Sequence, residues 1–422
     1  MNSKDVIIIG AGPAGLMAAG QAASRGLSTA VLEKMPRPAR KLRITGKGRC
    51  NLTNQADLKD FISHFGLQGR FLYPTFSKFF NSELVKFFED LGVSTVTERG
   101  SRVFPTENQA QKIVDVLVSW AKECGAQIIT EQKVNRLRLE DNRVQGVEVT
   151  AHSANKAKSS TQCFASKAVI LATGGASYPA TGSSGDGYQL AGSVGHTISP
   201  VRPHLVPLLT DAHIASRLAG LSLRNVQAKV LVDGKIKKQE FGEMLFTHSG
   251  ISGPIILSLS GFVVDSLAQN NAVSISLDLK PALEEDKLEA RLIREFRSKG
   301  KQQFKNILKN LLPSALIPVC IEATQIQADK PGNQISAKER KGLLVWLKDF
   351  RLSITGHRPL EEAIITAGGV ALKEVEPKSM ASKLINGLFF AGEILDLQAD
   401  TGGYNLQAAF STGWLAGNCV LK

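Results

Sequence analysis

The sequence predicts an α/β fold in which a Rossmann-like nucleotide-binding domain is built from both ends of the chain, around an inserted domain. Three observations carry this. An apolar strand, Val6-Ile7-Ile8-Ile9, runs into Gly10-x-Gly12-x-x-Gly15, and Glu33 closes a second apolar run, Thr29–Leu32. A strand-then-glycine pattern recurs at Ala168–Gly175 and again near the end, at Ile364–Ala371 and Gly387–Glu393. Between these, the chain changes character. The expected division is 1–200 and 363–422 for the nucleotide-binding domain and 201–362 for the insertion.

In order, Pro13–Arg25 reads as the helix of the first βαβ unit, and a basic, glycine-containing loop reaches Asn54. Two helices are predicted over 58–65 and 77–91. A hairpin turns through Arg99-Gly100-Ser101 within 93–105. Apolar residues at Ile113, Val116, Leu117 and Trp120 mark a helix over 109–124. Strands follow at 127–131, 134–140 and 144–150, then a polar turn at 153–161. Short strand patterns with prolines fill 201–278, a charged helical pair 284–312, and a helix lies near 338–348. The last helix begins at Thr401-Gly-Gly-Tyr-Asn-Leu-Gln407.

Each glycine of the first motif has a task. Gly10 permits the tight turn, Gly12 lets the backbone approach a pyrophosphate, and Gly15 allows close packing of helix on strand. The helix then points its N-terminal N–H groups at the phosphates. Glu33 is placed to accept hydrogen bonds from a ribose diol and disfavours a 2′-phosphate.

At 422 residues with 43% hydrophobic content the chain can fill more than one core. The residues ahead of the first strand do not read as an export signal. The longest apolar stretch, Ile251–Leu267, is short for a bilayer span and interrupted by Gly, Pro, Ser and Asp. Five scattered cysteines argue against a disulfide framework, a zinc site and a dithiol pair, so a cytoplasmic protein without a membrane partner or metal is expected. Lysine and arginine number 51 against 38 acids, a net charge of +13. That excess suggests a polyanionic partner. It concentrates in Lys34–Arg49, with seven basic residues and no acid, and in Lys287–Lys309, with eight against Glu289 and Glu295. The alternative is that the first cluster serves a cofactor pyrophosphate and the second is a solvated helix face.

Four further segments bear chemistry. In Lys41–Asn54, Lys47 and Arg49 flank Gly48, an anion-friendly loop, and Cys50 next to Arg49 is either a thiol of lowered pKa or a packing residue. Ala172-Thr173-Gly174-Gly175 ends a buried strand, and Asp186 between two glycines either caps the next helix or meets the cofactor. Gly392-Glu393 ends another strand, where the carboxylate suits a ribityl hydroxyl, and the helix start after Gly402-Gly403 can support negative charge on a flavin. Nucleotide-type segments at both ends point to FAD, and without a second G-x-G-x-x-G, NAD(P)H is expected only as a transient visitor. In the insertion, Phe246–Pro254 is expected to open an apolar helix with His248 and Ser249 near its N-terminus, favouring an anion or polar substrate group, or with Thr247 or Ser249 as its cap.

With Gly46–Asn54 and Thr401-Gly-Gly-Tyr-Asn405 in view, the chain resembles, over essentially its full length, the BaiN/RdsA family of FAD-dependent oxidoreductases. The resemblance implies a bound FAD and an insertion combining a β-barrel with a helical piece. It places Gly10, Gly12, Pro13, Ala14, Gly15, Glu33, Lys34, Lys41, Gly48, Arg49, Cys50, Asn51 and Val134 around the cofactor. From the later segments it adds Ala172, Thr173, Gly174, Gly175, Asp186, Gly392, Glu393, Gly402, Gly403, Tyr404 and Asn405. The family's loop carries glycine where this chain has Lys47.

Family members have been linked to reduction of a uridine in large-subunit (23S) ribosomal RNA to dihydrouridine, oxidation of small amines and bile-acid reduction. The leading expectation is therefore a flavin reductase acting on ribosomal RNA, with hydride added at C6 of an extruded uracil and a proton at C5. Cys50, Arg49 and His248 are its candidate catalytic residues. The alternatives are a small-molecule oxidase or reductase, or an RNA-binding assembly factor with structural FAD. Target base, electron donor and oligomeric state are left open.

Overall fold

A computed structural model describes residues 3–151 and 161–422; the polar turn expected at 153–161 lies almost wholly outside them. The chain divides into two compact units, one made of Met1–Pro203 with Leu360–Lys422 and the other of His204–Pro359.

The first unit is organised on a sheet in which Gln127–Ile129, Thr29–Leu32, Ser3–Ile9 and Thr161–Leu171 lie side by side, and the parallel strand Leu388–Phe390 joins Thr161–Leu171. Val6, Ile7 and Ile8 have no solvent exposure, as expected for a strand flanked by parallel neighbours and covered on both faces. Arg143–Ala151 and Gln132–Glu140 extend the sheet antiparallel from Thr161–Leu171, which starts seven residues earlier than the apolar run alone suggests.

Pro13–Ser24 is buried on most of its surface because it packs under the last helix, Tyr404–Cys419. Two glycines of that last helix make the approach possible. A Cβ on Gly413 would stand 2.3 Å from the Ala14 carbonyl oxygen, and one on Gly417 would stand 2.4 Å from that of Ala18. The two ends of the chain are thus welded backbone to backbone.

The segment after the basic loop departs in detail from its predicted pattern. Helices occupy Leu58–Ser63 and Asn81–Asp90, separated by 3-10 and short helical turns over Gly66–Phe76. The second helix starts at Asn81 rather than 77 because Phe80 is extended and its N–H is taken by the Glu83 carboxylate at 3.0 Å. The hairpin Thr95–Glu98/Arg102–Pro105 is present. Ile365–Val370 is a buried strand, but it pairs with Ile198–His204 instead of joining the main sheet.

The second unit holds a closed six-stranded barrel, ordered Leu208–Thr210, Gly250–Ser252, Lys235–Phe246, Ser222–Val232, Val273–Asp278 and Phe350–His357. Pro254–Ala268, Glu285–Ser298, Leu316–Thr324 and Ala337–Lys348 are its main helices. Leu288, Leu292 and Phe296, at helical spacing, bury one face of Glu285–Ser298 and leave its basic residues outside. Among the described residues, no helix is long and apolar enough to cross a membrane.

Candidate functional site

The first βα turn is shaped as a phosphate cradle. Gly10 has φ +102°, and a Cβ there would lie 2.5 Å from the Ala172 carbonyl oxygen, so only glycine fits. Gly15 is equally constrained, but by its own turn: an added Cβ would meet the Gly10 carbonyl oxygen at 1.9 Å. Gly12 differs, since no atom stands within 4 Å of its missing side chain. It faces open space at the start of a helix whose first residue, Pro13, lacks an N–H and whose first turn carries no acid. Ala14 sits beneath this turn, beside Gly392 and Gly413.

Glu33 is held by the same turn. Its carboxylate accepts the N–H of Ala11 at 2.9 Å and that of Met35 at 2.8 Å. Burial nevertheless pushes its pKa above the ordinary glutamate value, and these hydrogen bonds oppose that rise only in part. Val134 is buried in the strand beginning at Gln132, whose N–H bonds the Glu33 carbonyl at 2.9 Å.

Segments far apart in sequence converge on the strand ends. Lys41 Nζ lies 2.9 Å from Glu393 Oε2 and 2.7 Å from Ser177 Oγ. Glu393 Oε1 also accepts the Thr366 N–H at 2.9 Å. Thr366 Oγ1 in turn accepts the N–H groups of Ala176 and Ser177, just after Gly174-Gly175. Lys34 pairs with Asp186 at 2.7 Å. Asp186 therefore does not cap its helix: the N-cap is Gly185, with no side-chain cap, and the carboxylate is held by Lys34 and Ser184.

The last helix begins at Gly403, φ +101°, where a Cβ would lie 2.4 Å from the Thr53 carbonyl oxygen. Gly402 bonds through its carbonyl to the Asn54 amide at 3.1 Å. Asn405 spends its side-chain amide on Ala399 and Asp400, pinning the loop ahead of the helix. Tyr404 is buried against Phe61 and stacks on His64, whose Nδ1 lies 2.9 Å from Asp400 Oδ2. Thr366, Ser177, His64 and Asp400 are not among the candidate site residues of the sequence, because only long-range contacts give them their place.

The basic loop corrects one expectation. Arg49 does not lower the Cys50 pKa. Its guanidinium pairs with Glu98, its Nε donates to Asn108 at 2.6 Å, and it lies 4.2 Å from the centre of the Phe104 ring. Cys50 has no exposure, and burial pushes its thiol up to about 12. Lys47, where the resembling family carries glycine, is forced to φ +59°; Gly48 beside it faces open space.

His248 is corrected as well. It is an exposed residue of the turn joining Lys235–Phe246 to Gly250–Ser252, where the Thr247 N–H bonds the Gly250 carbonyl at 2.8 Å. The apolar helix starts only at Pro254, with Gly253 as N-cap, so neither Thr247 nor Ser249 caps it.

The arrangement fits a dinucleotide flavin. The open cradle at Gly12 matches a pyrophosphate, Glu33 a ribose, and the strand-end carboxylate Glu393 a polyol. Asn51 Oδ1, Thr173 Oγ1 and Gln398 Oε1 are buried without a hydrogen-bond partner among the described residues. Buried polar atoms in such a state are expected where a ligand or water completes a site.

Sheet topology, glycine cradle and acidic strand end define a Rossmann-like FAD-binding fold, that of a flavin-type oxidoreductase. Residues 4–419 match the model of the family described as HI0933-like protein Rossmann domain, and the chain belongs to that family. It is 31% identical over 418 residues to the 3-dehydro-bile acid delta(4,6)-reductase of Clostridium scindens, covering 98% of both chains. It is 32% identical over 412 residues to the ribosomal RNA dihydrouridine synthase of Haemophilus influenzae, covering 97% of this chain and 96% of that one. Among solved structures, a flavocytochrome c3 fumarate reductase in its open conformation shares the fold with a TM-score of 0.53 and 17% identity, over 99% of this chain and 78% of the other.

Proposed function

We propose that the chain is a cytoplasmic, FAD-dependent reductase that converts a uridine of ribosomal RNA to dihydrouridine with electrons from NAD(P)H. The observation that carries the RNA side is the distribution of unneutralised charge. In the loop cluster, Lys34, Lys41 and Arg49 are already paired with Asp186, Glu393 and Glu98. Arg37 and Lys47 of that cluster, and Arg294 and Arg297 on Glu285–Ser298, are exposed and have no ion pair among the described residues. A solvent-facing row of free arginines suits phosphate contact, and an RNA-modifying relative lies over the whole chain.

The chemistry FAD supplies when bound is two-electron hydride transfer between a nicotinamide and a conjugated carbon–carbon double bond. The residues of this chain bind and orient. The backbone at Gly12 and the helix start at Pro13 receive the pyrophosphate, and Glu33, fixed by Ala11 and Met35, accepts the ribose hydroxyls. Glu393, held by Lys41 and Thr366, accepts from the ribityl chain. The helix start at Gly403 would favour negative charge on a flavin bound beside it. A uracil inside a helix must leave its stack before it can be reduced.

A second reading, reduction of a conjugated small molecule, is favoured by the equally extensive likeness to the bile-acid reductase. One experiment distinguishes the two. Holoprotein reduced anaerobically by NADPH is mixed with ribosomal RNA lacking dihydrouridine or with a conjugated 3-oxosteroid, and flavin absorbance is followed. Reoxidation by the RNA alone supports the first reading; reoxidation by the steroid alone replaces it with the second.

A further inference from the structure

The second unit contains a cavity of about 330 Å³ lined by Leu223, Arg224, Leu279, Lys280, Leu312 and Leu316, among others. Its charges are all of one sign. Lys280 follows the barrel strand Val273–Asp278, is half-buried, and has no side-chain hydrogen bond or ion pair among the described residues. The carboxylate two residues before it, Asp278, is taken by Lys348 at 2.5 Å, and that same lysine caps the Leu283 carbonyl at 2.9 Å. Arg224 is exposed at the rim, also without an ion pair among the described residues. Arg291 reaches toward the Asn310 carbonyl at 3.5 Å, directly ahead of the lining segment 311–316.

A half-buried, unpaired ammonium is costly, and a second cation beside it raises that cost. Desolvation and the Arg291 charge together hold the Lys280 pKa below the ordinary lysine value. A bound anion removes both penalties.

We propose that this cavity seats a backbone phosphate of single-stranded RNA, held by Lys280 and Arg224 with Arg291 beside them. This inference rests on the RNA reading above and adds to it a specific contact. A phosphate could also come from a free nucleotide or inorganic phosphate, but Arg294 and Arg297 carry the positive track on from Arg291 along the exposed face of the same helix. That continuation suits a polymer of phosphates rather than a single one.

The test uses the full-length holoprotein and a fluorescent single-stranded oligoribonucleotide. A small amine-reactive acylating reagent labels Lys280 at neutral pH, and peptide mass spectrometry reads the extent. Saturating oligoribonucleotide should protect Lys280, whereas inorganic phosphate at the same phosphate concentration should not. The variants Lys280→Gln and Arg224→Gln should each keep bound flavin, and the double variant should flatten the log–log salt dependence of RNA binding by about 0.7, one phosphate contact. Equal labelling with and without RNA, together with an unchanged slope, overturns the proposal while leaving ribosomal RNA reduction as a separate question. Protection by inorganic phosphate but not by RNA overturns it in favour of a small anion site. Absence of any RNA binding overturns both this contact and the RNA reading.

Discussion

Lys41 and Glu393 stand 352 positions apart in the chain, yet the ammonium and the carboxylate meet at 2.9 Å with both side chains about one-fifth exposed. The pair ties the basic loop after the first βαβ unit to the final strand, at the edge of the cradle. With one partner removed, the other is left partly desolvated and unpaired, which costs more than an exposed ion pair. Lys41→Met should destabilise the flavin-free protein by about 1–3 kcal/mol in urea titration. The double variant Lys41→Met/Glu393→Leu should recover part of that loss, and strict additivity would deny the coupling.

Glu33→Ala should release FAD. The carboxylate holds the turn through Ala11 and Met35 and has remaining lone pairs for a ribose. Loss of hydrogen bonds to a charged acceptor is worth roughly 1.5–3 kcal/mol each. Flavin fluorescence on dilution should show at least tenfold weaker retention, and an unaltered dissociation constant would remove Glu33 from the site.

Cys50→Ala should leave turnover per bound flavin unchanged. The thiol is fully buried and pushed up to about 12, a poor proton donor near neutral pH. The variant loses packing worth about 1 kcal/mol, so its melting temperature should fall slightly. A rate per flavin reduced by roughly 10²-fold or more would restore the catalytic role that the motif first suggested.

Lys47→Gly should stabilise. Lys47 sits at φ +59°, exposed, in a region that costs an L-residue about 1 kcal/mol and costs glycine little. Thermal unfolding should shift upward by roughly 1–2 °C. A downward shift would mean that the ammonium makes a contact which offsets the strain.

The pH dependence of stability should include Glu339, whose carboxylate caps Ala337–Lys348 through Ser336, pairs with Lys330 at 2.7 Å and is held down at about 2. Because its folded pKa lies below the unfolded value, its contribution is present above about pH 4.5 and is lost as pH falls toward 2. Glu339→Gln should therefore be less stable than wild type at pH 7 and equal to it near pH 2 in urea titrations. A constant difference across that range would remove the ion pair from the account.

The parts of the fold legible in the sequence are those written locally. Val6–Gly15 with Glu33 specifies a strand, a turn and a helix by residue type alone, and the Arg99–Ser101 hairpin and the 110–123 helix follow from turn chemistry and periodicity. What depends on distant neighbours was not legible. Nothing near Arg49 announces Glu98, Asn108 and Phe104 as its partners, so the sequence alone leaves Cys50 open between a lowered-pKa thiol and a packing residue. Nor does the four-residue spacing of Gly413 and Gly417 reveal that Ala14 and Ala18 press against them. His248 was misplaced because Gly250–Ser252 is too short a strand to show in the pattern, although it closes the hairpin that separates His248 from the helix.

The central claim, an FAD-dependent reduction of ribosomal RNA, is tested most directly by mass spectrometry of ribosomal RNA from cells with and without the gene. The account predicts a uridine in large-subunit RNA that carries two additional hydrogens only when the gene is present, restored by the wild-type gene and not by Glu33→Ala. Identical RNA masses in the two strains would contradict it.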